Sequence, residues 1–147
     1  FTVKDDTVFH LEEALCRAHG LLAHHGSTES VFADAPLTLK DATNELLNRV
    51  TRLAPFGMGN EKPIFAFRDV TVSRVSWFGK SEEHVKVVVT SDGFDTLEGV
   101  AFYAKRELGP QIKDLLAGTT VQVLGSLERD QFTRGRPIRL RLVSIRS

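Results

Sequence analysis

Lys105–Ala117 reads KRELGPQIKDLLA, and its place in the chain decides the fold. Leu108, Ile112, Leu115 and Leu116 recur at helical spacing, and Gly118 follows as a C-terminal stop, so the stretch predicts a short amphipathic helix. Pro110 inside it predicts a first turn that is irregular or starts late. On both sides of this helix the apolar period is two. Before it, Phe65–Trp77, His84–Thr90 and Leu97–Tyr103 read as strands, separated by turns at Gly79–Glu83 and Ser91–Gly93. After it, Thr119–Phe132 and Arg136–Arg146 read as two more, joined through Arg134 and Gly135. In HVKVVVT (84–90), Val85, Val87 and Val89 fall on one face and His84, Lys86, Val88 and Thr90 on the other.

Three strands, a helix and two strands is the order of an OB-fold, a five-stranded Greek-key barrel whose helix fills the gap between the third and fourth strands. A small SH3-like barrel competes, but the intervening helix argues against it. The fold class is therefore α+β, with a helical segment ahead of the barrel. In that segment Val8, Leu11, Leu15, Ala18 and Leu22 predict a helix over about 8–24, ended by Gly26. Val31-Phe32-Ala33 reads as a short extended piece. Thr38 and Asp41 form a capping-box signature before a second helix over about 39–53, with Leu39, Leu46, Val50 and Leu53 on one side. Pro55-Phe56-Gly57-Met58-Gly59-Asn60 then divides the two halves. A proline stops the helix, two glycines allow a sharp turn, and Phe56 and Met58 are expected to wedge between helix and barrel. The predicted organisation is a helical segment over 1–54, a junction over 55–65 and a barrel over 66–147.

Composition narrows the function. The chain has 147 residues with 41% apolar residues, enough for a globular domain. Its longest apolar runs fall far short of the ~20 residues needed to span a bilayer. Cys16 is the only cysteine, which excludes an internal disulfide or a C-x-x-C zinc site and fits a reducing cytoplasm. No signal peptide is visible, and the chain does not begin with Met, so a piece of a longer protein is expected. Net charge is zero, but residues 1–60 carry 5 basic and 8 acidic side chains against 14 and 11 in 61–147. The last stretch, 127–147, holds Arg129, Arg134, Arg136, Arg139, Arg141 and Arg146 without a lysine. Arginine in this proportion favours planar recognition of phosphate or bases, or else a solvated face.

No catalytic constellation is legible. There is no G-x-x-x-x-G-K-[ST] or H-E-x-x-H, and Gly57-x-Gly59 is too short for a phosphate fingerprint. The adjacent pair His24-His25 does not share a helix face and reads as a helix end; Cys16, beside an apolar face, reads as buried. What does gather is a set of aromatics and cations on the predicted barrel. Trp77, Phe78 and Lys80 sit at the first hairpin, His84 and Lys86 on the outer face of the second strand, and Tyr103 and Lys105 at the end of the third. Arg129, Phe132, Arg134 and Arg136 line the last hairpin, followed by Arg139 and Arg141. Basic grooves with interleaved aromatics bind single-stranded nucleic acid. Trp77 and Phe132 are equally readable as packing against the barrel.

The segment Leu53–Asn60 with Pro63-Ile64-Phe65, the Gly79…His84-x-Lys86 hairpin, Val100-Ala101-Phe102, Gly118…Val121–Glu128, Phe132-x-x-Gly135 and Leu140-Arg141-Leu142 together resemble the C-terminal part of RecJ-type single-strand DNA exonucleases. Asp130 and Arg139 stand where that pattern has Asn and Gln. The resemblance implies an OB domain that binds single-stranded DNA and a 5′→3′ exonuclease of DNA repair and recombination. It also implies contact with single-strand-binding protein, with no membrane partner. The helical segment would be a partial accessory domain. The catalytic aspartates, with their Mn²⁺ or Mg²⁺, would belong to an N-terminal domain outside this sequence, so no metal or other cofactor is expected here. A protein-interaction module is the competing reading.

Overall fold

The computed structural model describes residues 31–113, 115–131 and 138–147, all within one compact unit, Val31–Ser147. The predicted helix at 8–24, Cys16 and His24-His25 lie outside the described residues, as do Phe132, Arg134 and Arg136. The elements in chain order are β1 (Ala35–Leu37), a 3₁₀ turn (Leu39–Asp41), α1 (Asn44–Thr51), β2 (Phe65–Phe78), β3 (His84–Ser91), β4 (Asp95–Ala101), α2 (Ala104–Glu107), α3 (Pro110–Lys113), β5 (Thr120–Arg129) and β6 (Ile138–Arg146).

Strands β2 to β6 close a barrel. β2 pairs antiparallel with β3, β3 with β4, and β5 with β6; β2 also pairs with β5, and a short parallel contact, Gly99↔Leu140 and Val100↔Arg141, joins β4 to β6. This is the pairing of an OB-fold. The valine alternation of β3 sets its register. Val85, Val87 and Val89 are buried and face Ala101, Gly99 and Leu97 on β4, so a one-residue slip would turn that whole row to solvent. Phe67, Val72, Val123, Leu127, Leu140 and Ile145 complete the core.

Both ends of the barrel are stoppered. Ala104, Leu108, Ile112 and Leu115, from α2, α3 and the residues beside them, join the core, and Gln111 Oε1 accepts hydrogen bonds from Ser144 Oγ at 3.2 Å and Ile145 N at 3.1 Å. Leu39, Leu47 and Val50 join the same core from the α1 side, and Arg129 Nη2 donates to Asn48 Oδ1 at 2.9 Å. The α2–α3 plug is therefore tied to the C-terminal part of β6 and the α1 plug to the C-terminal end of β5, which pairs with the start of β6.

Several expectations need correction. The extended piece forms at Ala35–Leu37, not at 31–33, and adds a sixth strand parallel to β2 through Ala35↔Phe65 and Leu37↔Phe67. The helix expected over 39–53 is broken. Asp41 accepts from the Thr38 hydroxyl at 2.6 Å and the Thr38 backbone N–H at 2.8 Å, bonds that hold its carboxyl below the usual range, the hydroxyl bond most. That cap starts only a 3₁₀ turn, and Thr43 caps α1 afresh by accepting from Leu46 N at 3.2 Å. The helix over 105–117 is likewise two short pieces. Gly109 takes a φ of 50° directly before Pro110: the proline disfavours the right-handed helical region for the residue before it, and a glycine can turn left-handed instead. β4 begins two residues earlier than expected, β5 ends at Arg129 and β6 starts at Ile138.

The junction is a tight turn rather than a wedge. Gly57 and Asn60 exchange backbone hydrogen bonds of 2.9 and 3.0 Å, and Gly59 has a φ of 82°, the third-position requirement of a type II turn. Asn60 Nδ2 ties the turn back to Leu53 O and Pro55 O, both at 2.9 Å. Phe56 packs against the core, whereas Met58 at the tip is fully exposed, since the turn points it away from the barrel. The two glycines therefore differ. Gly59→Val should cost about 1–2 kcal/mol of stability, the strain of a branched residue in left-handed backbone. Gly57 has an ordinary φ and open space where a Cβ would stand, so Gly57→Ala should stay within ~0.5 kcal/mol. Urea melts of the two variants check the difference.

Candidate nucleic acid interface

The outward side chains of β3 and β4 form one face, and its richest part lies where the β2–β3 hairpin meets the start of α2. Here the pleat sends Phe78 and His84, which are cross-strand partners, to the same side. Their rings lie 5.2 Å apart. Phe102, just past β4, places its ring 5.1 Å from His84 and 6.2 Å from Phe78. Tyr103 sets its ring edge against His84 at 5.1 Å. Cations flank these rings: Arg141 lies 4.4 Å over Phe102 and Arg106 lies 5.6 Å over Tyr103. Phe78 and Tyr103 are exposed, and Phe102 and His84 half-buried. Lys80 is exposed in the hairpin turn. The result is a ring cluster with guanidinium groups beside it, the chemistry on which unpaired bases stack.

The structure distributes the other sequence candidates differently. Trp77 faces Val85 and packs partly against the core, with Lys105 Nζ 5.5 Å from its ring; it belongs to the barrel wall beneath the cluster. Lys86 is bound to Glu98 at 2.9 Å, whose side chain is nearly buried. Arg139 donates to Glu128 at 2.6 Å and lies 3.6 Å from Asp130. Asp130 and Arg139, the two departures from the RecJ-type pattern, are thus an ion pair with each other. Arg129 is held by Asn48 at the opposite end of the barrel. Among the described candidates, Lys80, Lys105 and Arg141 are cations outside any such carboxylate pair, as is Arg129, which the Asn48 amide holds instead.

Sequence reasoning left out Phe102 and Arg106 and gave Phe78 no more than a place in the hairpin. The alternation of β4 would have placed Phe102 outward with Val100, but Arg106 reaches Tyr103 only because α2 starts abruptly after β4. Among the described residues no group of three His, Cys, Asp or Glu could hold a metal ion, and no helix is long and apolar enough to cross a membrane.

A model of the RecJ OB domain family matches residues 33–144. A comparison with curated proteins gives no match. Among solved structures, the Stn1-ten1 complex of S. pombe is similar at 12% identity and a TM-score of 0.44, over 56% of this chain and 56% of that one. Asparaginyl-tRNA synthetase of Entamoeba histolytica is similar at 14% identity and a TM-score of 0.44, over 56% of this chain and 20% of the synthetase. The family match covers most of the chain and coincides with the barrel just described. With its strand order, its two core plugs and that match, the chain belongs to the RecJ OB domain family, a nucleic-acid-binding OB module.

Proposed function

We propose that this chain binds single-stranded DNA as the non-catalytic C-terminal part of a RecJ-like 5′→3′ exonuclease acting in DNA repair and recombination. The observation that carries the reading is the cluster of Phe78, His84, Phe102 and Tyr103 flanked by Arg106 and Arg141 on the outer face of an OB barrel. Rings there would take unpaired bases while the cations neutralise phosphates, and the grip would feed a strand to chemistry carried by a separate domain. In this reading that domain supplies the aspartates for Mn²⁺ or Mg²⁺, and residues 1–54 would approach it as an accessory segment.

Salt dependence tests the electrostatic part. If Lys80, Lys105 and Arg141 each neutralise one phosphate, log affinity should fall with log salt at a slope of about −2, at ~0.7 per single-strand contact. Engagement of Arg134 and Arg136 as well would steepen it to roughly −3.5. Fluorescence of Trp77, the only tryptophan, should shift on adding an oligonucleotide because it adjoins Phe78 in β2 and its ring neighbours Lys105. A flat salt response with no shift, together with tight binding of the acidic tail of single-strand-binding protein, would favour the protein-docking alternative.

A further inference from the structure

Backbone strain falls on the most exposed ring of the cluster. Tyr103 has φ 50° and ψ 41°, left-handed backbone that a bulky side chain rarely adopts. A glycine would take this conformation freely, so the tyrosine side chain is present despite the backbone it requires. The strained turn also sits at the N-cap of α2, where caps normally have extended backbone; Tyr103 makes no side-chain cap bond there.

Two hydrogen bonds across the strands hold it. Tyr103 N donates to His84 Nδ1 at 3.1 Å, and Ala104 N donates to Glu83 O at 2.7 Å. The first commits Nδ1 as an acceptor, so the neutral imidazole carries its proton on Nε2. The ring is also boxed in. Phe78, Phe102 and Tyr103 surround it, and a Cβ added at Gly79 would meet its Cδ2 at 3.0 Å. A histidine so enclosed is poorly placed to reach a phosphate. We infer that His84 is a positioning residue: it fixes the left-handed turn at Tyr103 and thereby presents the Tyr103 ring to a base of single-stranded nucleic acid. Arg106 over the outer ring face would share the same base. The inference rests on the nucleic-acid reading above and reassigns His84 within it.

A double-mutant cycle on oligo(dT) binding tests this, using Tyr103→Ala, His84→Phe and the pair. Tyr103→Ala should weaken binding roughly 5- to 150-fold, the range for one lost stacking contact. His84→Phe keeps an aromatic ring but removes the acceptor, and should lose a similar factor. The pair should be no weaker than Tyr103→Ala alone, because the two residues act as one. His84→Asn, whose Oδ1 can accept in place of Nδ1, should recover part of the loss. Losses that multiply in the pair, or full affinity in His84→Phe, would overturn the inference. Nitrogen NMR of the unliganded chain gives a readout independent of binding and of variant folding. An unprotonated, hydrogen-bonded Nδ1 is expected, and a proton on Nδ1 overturns the positioning role. If the wild-type chain binds no oligonucleotide, the functional reading fails by itself, while the NMR result still decides the His84–Tyr103 link.

Discussion

Gly125→Ala should destabilise the barrel by about 3 kcal/mol or more, above the common range for one added methyl group, and Gly125→Val should leave little folded protein. Gly125 lies on β5 between Phe65 of β2 and Leu142 of β6, at the point where the β5–β6 register jumps between Leu124 and Gly125. A Cβ built there would stand 2.3 Å from the carbonyl oxygen of Arg141 and 2.8 Å from Leu140 Cγ. The oxygen is backbone, fixed by the sheet, so no rotamer change relieves the clash. Gly99 is the informative contrast. A Cβ there meets the Leu142 side chain at 2.9 Å, which can shift, so Gly99→Ala should cost closer to ~1 kcal/mol. Urea denaturation separates the two; equal losses would mean that side-chain crowding, not the approach of two backbones, governs this corner.

The second large effect distinguishes two arginines two positions apart on β6. Arg139→Ala should cost about 3–5 kcal/mol of stability, the usual penalty for removing one partner of a buried ion pair. It takes this cation away from Asp130, whose side chain is 2% exposed, and from the largely covered Glu128. Arg141→Ala removes a cation that lies over Phe102 on the outer face. It should change stability by less than ~1 kcal/mol, lower oligonucleotide affinity and reduce the salt slope by about 0.7. Melts and titrations of both variants at two salt concentrations check the crossed pattern. Loss of affinity in Arg139→Ala after correction for unfolded protein, with Arg141→Ala unaffected, would reverse the assignment.

This pair also marks how far the sequence could be read. A period of two puts Arg139 and Arg141 together on the face of β6 opposite the buried Leu140 and Leu142, and that much is local. It could not say which one had a carboxylate waiting, since Glu128 on β5 and Asp130 just past its end meet Arg139 only through the β5–β6 register. Lys86 makes the same point: its partner Glu98 comes from the neighbouring strand β4. The three-strand, helix, two-strand order was legible because each strand carries its own period of two and each turn its own glycine or aspartate. The strand Ala35–Leu37 was not, because three residues around Pro36 have no period to detect. The breaks in both predicted helices were under-read. Apolar spacing continues straight through Leu108 to Ile112 and through Leu39 to Leu46, while local backbone chemistry at Gly109-Pro110 and at Thr43 restarts the chain.

The double stoppering of the barrel by α1 and by α2 with α3 has a consequence for how such a protein can change over time. With both mouths filled by Leu39, Leu47 and Val50 on one side and Leu108, Ile112 and Leu115 on the other, the lumen is closed to ligands and the outer wall is left as the working surface. Most residues of that wall contribute little to the core, so new specificities can be tried there one side chain at a time while the scaffold stays intact. A library randomised at Phe78, Lys80, Phe102 and Tyr103 should therefore yield mostly folded members with widely scattered affinities, whereas the same diversity at Arg139 would chiefly yield unfolded ones.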